Sequence, residues 1–146
     1  MAEQTEGDID INATPEEVLE VITDFESYPD WAQGVKKVEV KKTDSQGRPS
    51  EVFMEVGQMG FNASYTLSYK YKAKNGGLSW TSKDESGSVK TLKGEYDLEE
   101  TDDGTHVTYR MTVEPAVKLP GMVRKQAERM VVGTALGGLK KRVEGR

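Results

Sequence analysis

The final stretch of the chain, Pro120 to Val143, limits what the rest can be. It holds one proline, at its start, and predicts a single long helix. Pro120 suits a first helical position, where its missing N–H removes no hydrogen bond. Val123, Ala127, Val131, Ala135, Leu139 and Val143 recur every four residues, with Met130 and Leu136 beside them, and predict one apolar face. Arg124, Lys125, Glu128, Lys140 and Lys141 are then expected on the opposite, solvated face. A helix built this way has to lie on another element.

Gly133, Gly137 and Gly138 sit inside that helix, where each costs up to about 1 kcal/mol relative to alanine. Two readings explain them. Either a neighbouring backbone passes so close that only hydrogen fits, or small residues on the buried side leave an apolar ligand pocket between helix and sheet.

A length of 146 residues fits one domain with one core, so the expected unit is 1–146. No apolar run approaches the roughly 18 residues of a membrane span, and the acidic start MAEQTEGDID is unlike a secretory signal. A cytoplasmic location is therefore expected. Without cysteine there is no disulfide framework or thiolate nucleophile, and with a single histidine no metal site is expected. No cofactor is expected either.

The net charge of −5 is uneven: the segment from Lys118 onward carries +6 and the preceding residues −11. An acidic body repels phosphate, so DNA is not an expected partner. The basic end is ordinarily only a solvated helix face, but it leaves an anionic lipid surface or a ribosome as partners to weigh.

Asp8 to Ala13 alternates and predicts a first strand with Ile9, Ile11 and Ala13 on one side. Thr14-Pro15-Glu16-Glu17 has the form of a capping box and opens a helix with Val18, Leu19, Ile22 and Phe25 as its apolar stripe, ending near Asp24. Pro29 prevents simple continuation, so a second short helical turn should carry Tyr28 and Trp31. After Gly34, Val35 to Thr43 predicts a strand. A turn at Asp44 to Pro49 leads to Glu51 to Gln58, with Val52, Met54 and Val56 on one face.

Phe61 to Lys72 alternates most strictly, placing Phe61, Ala63, Tyr65, Leu67, Tyr69 and Tyr71 on one covered face. Asn75-Gly76-Gly77 turns the chain into Leu78 to Lys83, and Ser86-Gly87 turns it into Val89 to Glu100, where Leu92, Gly94, Tyr96 and Leu98 share a face. Asp102-Asp103-Gly104 precedes Thr105 to Glu114, with Val107, Tyr109, Met111 and Val113 together. Pro115 to Leu119 links this strand to the long helix. The order predicts an α+β domain: about seven antiparallel strands curling around the C-terminal helix, with two short helices after the first strand.

Ile9 to Val18, Asp24 to Trp31, Gly104 to Arg110 and the closing helix together resemble the START-like (SRPBCC) superfamily, within it the polyketide cyclase/dehydrase and lipid-transport group of bacterial proteins. The resemblance spans nearly the whole chain. It implies a helix-grip fold with a hydrophobic cavity. It does not fix an activity, because the group holds aromatase/cyclases, lipid and quinone carriers, hormone receptors and a relative acting on ribosomes.

His106 shares strand parity with Thr108, Arg110 and Thr112, opposite to the apolar set, which aims its ring outward, away from any interior substrate. Arg110 lies on the same outward face, where Glu95, Asp97 and Glu99 can pair with it. Among inward tyrosines, Tyr65, Tyr69, Tyr96 and Tyr109 either donate hydrogen bonds to a ligand or pack as core with a hydroxyl at the rim. Tyr65 and Tyr109 are the candidates for a catalytic role.

Trp31 matches a Tyr-Pro-x-Trp segment that the resemblance puts near the pocket mouth, where it either stacks on a ligand or packs the short helix. Trp80, Leu67, Ala127 and Thr134 complete the expected lining, with Met54, Met111, Met122 and Met130 as adaptable apolar wall or as core filler. The expected function is binding or carriage of a hydrophobic or aromatic small molecule between sheet and helix. The alternatives are a polyketide aromatase/cyclase or dehydrase, and a protein docking through its basic helix.

Overall fold

A computed structural model describes residues 4–32, 34–58, 61–82, 89–115 and 120–145; the side chains of 58, 61–63, 89–91, 113–115, 121, 123, 124 and 127 fall outside the description. The elements run β1 (Thr5–Ile11), α1 (Pro15–Thr23), a 3-10 turn (Phe25–Ser27), α2 (Tyr28–Trp31), β2 (Val35–Thr43), β3 (Pro49–Gln58) and β4 (Phe61–Tyr71). They continue with a second 3-10 turn (Ala73–Asn75), β5 (Gly77–Ser82), β6 (Val89–Thr101), β7 (Gly104–Pro115) and α3 (Gly121–Glu144).

The strands form one antiparallel sheet of seven in the order β1-β7-β6-β5-β4-β3-β2. Consecutive strands from β2 to β7 are neighbours, and β1 returns to pair with β7. The helices are segregated on one face, with α3 packed along β1 and β7 and against α1 and α2. This is the expected START-like α+β fold. Among the described residues no helix is long and apolar enough to cross a membrane.

Local chemistry sets the element ends. Glu17 N–H donates to Thr14 Oγ1 at 3.2 Å and Thr14 N–H donates to Glu17 Oε1 at 3.1 Å, so the capping box closes in both directions. β1 begins at Thr5 and stops at Ile11, earlier at both ends than its own alternation predicts, because its partner β7 carries pairing as far as Met111 opposite Thr5. Pro120 is the N-cap, with φ −56° and ψ 141°, and the helix proper begins one residue later, at Gly121. The turn at Ser86-Gly87, Lys83, and residues 116–119 of the expected linker lie outside the described residues.

The larger correction concerns which face of α3 is buried. Val132, Leu136, Leu139 and Val143 are buried and so is Glu128, at 3% exposure, while Val131 is 42% exposed and Met130 39%. A strict four-residue repeat cannot hold one face: at about 100° per residue it drifts about 40° per step, which puts Val123 and Val143 about 200° apart. The mixed spacing of 128, 132, 136, 139 and 143 stays on one side, and brings Glu128 inward with it.

The helix glycines are corrected too. A Cβ built at Gly133 or Gly137 would meet nothing within 4 Å, and both residues are exposed, so neither faces a close backbone or a buried pocket. Gly138 touches Trp31, but an added Cβ would sit 3.5 Å away, in ordinary contact. The close approach is made by a glycine of the sheet. A Cβ at Gly7 would fall 2.5 Å from Val132 Cγ1 and 3.2 Å from Leu136 Cδ1, so α3 seats on β1 where the strand has no side chain.

Candidate functional site

Strand register assembles the concave face into two rows. Tyr69, Trp80, Gly94, Met111 and Thr5 are successive cross-strand partners from β4 to β1. Tyr71, Leu78, Tyr96, Tyr109 and Gly7 form the next row. The first row ends on Thr5, whose hydroxyl donates to Glu128 Oε1 of α3 at 3.1 Å. The second ends on Gly7, under Val132. Both rows therefore run from β4 to the line where the helix lands.

Gly94 shapes the first row. A Cβ there would lie 2.4 Å from Trp80 Cζ2 and 2.8 Å from Trp80 Nε1, so the indole lies flat across β6 because position 94 has none. In that place Trp80 packs against Tyr69 (5.9 Å between ring centroids), Tyr96 (5.4 Å) and Tyr109 (5.6 Å), and Tyr96 meets Tyr109 edge-on at 4.8 Å. Phe25 joins the cluster through Tyr69 at 4.6 Å and leads by way of Tyr28 to Trp31. Met54 and Leu67 are buried on neighbouring strands, with Met54 directly opposite Tyr65.

The tyrosine hydroxyls divide into two kinds. Tyr71 donates to the Pro49 carbonyl at 2.6 Å and Tyr28 to the Ile22 carbonyl, so each is tied to backbone. Tyr65, Tyr69, Tyr96 and Tyr109 have no hydrogen-bond partner among the described residues, where Trp31 Nε1 is a fully enclosed polar atom without a partner. Burial pushes the Tyr65 phenol up to about 12, and pushes Tyr69, Tyr96 and Tyr109 well above the ordinary value, with neighbouring tyrosines adding to it. All four stay protonated at neutral pH and can donate to an acceptor.

The structure thus brings Met54, Tyr65, Leu67, Tyr69, Trp80, Tyr96, Tyr109 and Met111 onto one concave surface. It separates the others. Met122 is 83% exposed and, with Met130, lies on the solvent side of α3, because the helix face is turned from the one the repeat implied. Thr134 is partly exposed on the same helix, and the Ala127 side chain is outside the described residues. Trp31 stands at the end of the aromatic chain, against Gly138. It also walls a cleft of about 380 Å³ lined by Glu20, Val21, Asp24, Arg142 and Gly145, at the helical end of the molecule.

Gly7 and the Thr5–Glu128 pair shape the site without standing out in the sequence, and Gly94 stands out there only as an inward residue, not as the seat of Trp80. A glycine breaking an inward alternation was the available sign for Gly94, and nothing local marked Thr5.

On the convex face Arg110 pairs with Asp97 at 2.5 Å and Glu95 at 3.3 Å, and Lys72 with the same two carboxylates at 2.5 and 2.9 Å. His106 lies outward as its parity predicts, with Nδ1 2.7 Å from Asp10 and Nε2 3.0 Å from Asp8. The hydrogen bond to Asp10, with the charges of Asp10 and Asp8 behind it, raises the imidazole pKa against a desolvation penalty. No group of three or more metal-ligating side chains occurs among the described residues.

The family described as polyketide cyclase/dehydrase and lipid transport matches residues 2–144. No curated protein matches the chain. Among solved structures, a START superfamily protein from Mycobacterium smegmatis superposes with a TM-score of 0.89 at 20% identity, covering 97% of each chain. The Zhui aromatase/cyclase from Streptomyces sp. R1128 gives 0.81 at 17% identity, covering 100% of this chain and 96% of its own. A STAR-related lipid transfer protein from Xanthomonas axonopodis gives 0.72 at 17% identity, covering 97% and 85%.

Proposed function

The chain belongs to the polyketide cyclase/dehydrase and lipid-transport family, and on that premise we propose that residues 1–146 form one START-like unit that binds a hydrophobic or aromatic small molecule between concave sheet and α3. The observation that carries this reading is the set of four phenols, on Tyr65, Tyr69, Tyr96 and Tyr109, gathered around Trp80 on the concave face with no hydrogen bond to another described residue. Buried polar groups are normally paired. Four neighbouring donors without partners among the described residues, set among flat rings, suit a ligand with an apolar or aromatic body and oxygen acceptors, whether quinone-, lipid- or polyketide-like.

Native mass spectrometry of gently purified protein should show a retained apolar mass. Titration with a neutral naphthalene fluorophore should quench Trp80, and the Tyr96→Phe, Tyr109→Phe double variant should bind an oxygen-bearing analogue several times more weakly. A chain that carries nothing and takes up no probe overturns the reading.

The protonated phenols also favour a second reading, an aromatase/cyclase or dehydrase. A phenol held above neutral pH is a poor general base but a good donor to a carbonyl turning into an enolate. Tyr65 and Tyr109 would then orient the polyketide chain. Turnover of a polyketide mimic should fall severalfold in Tyr65→Phe or Tyr109→Phe; unchanged rates remove those roles.

A further inference from the structure

Glu128 is the one buried charged side chain among the described residues. It sits on the inner stripe of α3, one turn before Val132, where an apolar residue would continue the contact with the sheet without the cost of burying a carboxylate. The helix does not need it as a tie. Val132 and Leu136 already seat on Gly7, and two exposed polar bonds fasten α3 to β1 and the residue after it: Lys140 Nζ donates to the Asp10 carbonyl at 2.6 Å, and the Asn12 N–H donates to Glu144 Oε2 at 2.9 Å.

Strand register fixes where Glu128 stands relative to the phenols. Thr5, which donates to Glu128 Oε1 at 3.1 Å, is the cross-strand partner of Met111, and Gly7 is the partner of Tyr109. Thr5 and Tyr109 are therefore diagonal neighbours on the concave face, with Cα atoms about 7–8 Å apart. A two-ring molecule held by Tyr109 and its edge-on neighbour Tyr96 lies within reach of the carboxylate. The chemistry of the two ends differs. A phenol can donate to any ligand oxygen, whereas a carboxylate only accepts, at up to about four positions, so the Thr5 bond does not exhaust it. An oxygen bound by the phenols needs only lone pairs; one bound by Glu128 must bring a hydrogen.

Resting on the binding site proposed above, we propose that Glu128 sets its specificity by accepting a hydrogen bond from a ligand hydroxyl, and so selects phenols, enols or alcohols over the corresponding ethers and ketones. The test compares the affinity of the purified chain for 2-naphthol and 2-methoxynaphthalene, which share a ring system and an oxygen acceptor and differ in the O–H donor. The wild type should bind 2-naphthol roughly tenfold more tightly. Thr5→Val, which keeps the carboxylate, should hold that preference. Glu128→Gln, which turns one acceptor oxygen into a donor, should narrow it, and Thr5→Val combined with Glu128→Met should bring the two probes within about twofold. Circular dichroism checks folding; if the double variant does not fold, the wild type and Glu128→Gln decide.

Equal affinities in the wild type, or an undiminished preference in Glu128→Gln or the double variant, overturns the role of Glu128 while leaving the site itself standing. Loss of the preference in Thr5→Val alone reduces the pair to a structural tie and overturns it as well. Uptake of neither probe by the wild type overturns the site and this proposal together.

Discussion

The two faces of the sheet treat polar groups in opposite ways. On the convex face Lys72, Glu95, Asp97 and Arg110 satisfy one another within 3.3 Å, and His106 sits between Asp8 and Asp10. On the concave face the hydroxyls of Tyr65, Tyr69, Tyr96 and Tyr109 have no partner among the described residues, although Tyr28 and Tyr71 nearby do. Both faces come from the same strands and the same alternation. A face whose polar groups are already matched contributes mainly to holding strands together, whereas the phenols of the other face are the donors that the proposed ligand would use.

The contrast can be broken most strongly at Gly94. Alanine there would force its methyl into the Trp80 ring, which is hemmed in by three tyrosines and cannot simply rotate away. Gly94→Ala should cost about 1–3 kcal/mol in urea unfolding and shift the Trp80 emission. Removing a centre of the convex network should cost less. Arg110→Met is expected to lower stability by at most about 1 kcal/mol, with the loss shrinking as salt rises, because exposed ion pairs contribute little and are screened.

His106 should give a smaller, pH-gated effect. Its folded pKa is raised, so the stabilisation is complete below the unfolded value of about 6.5 and fades as pH rises through the higher folded value. Unfolding midpoints measured across that range should slope downward in the wild type and lose that component in His106→Gln. The smallest stability change is expected for Tyr96→Phe. With no hydrogen bond to another described residue to lose, stability should stay within about 0.5 kcal/mol, while ligand affinity drops. A clear destabilisation would mean that the hydroxyl is structural, and would erase the difference between the faces.

The parts of this fold readable in sequence are those decided by nearest neighbours. Thr14 and Glu17 close their capping box wherever the helix lies, and the alternation from Phe61 to Tyr71 needs only a sheet with one covered side. Even β2 has the limits its sequence predicts, Val35–Thr43. What escaped depends on elements far apart in the chain. The rotation of α3 is set by where β1 lacks a side chain, at Gly7, which is 125 residues from Val132. Glu128 reads as a surface residue until Thr5, 123 positions away, is found donating to it. The inward tyrosines could be named from parity, but which of them kept free hydroxyls followed only from Pro49 and Ile22 having claimed two others.

Gly133 and Gly137 face water with nothing packed over them. Each leaves the outer side of the main chain unshielded by its own side chain, on a stretch whose inner side is seated on β1 by Val132 and Leu136. Amide protons on that outer side, at Gly133 and Gly137, should therefore exchange with deuterium sooner than those of Val132 and Leu136 beside them, so that one stretch of α3 is anchored on its inner side and open to water on its outer side.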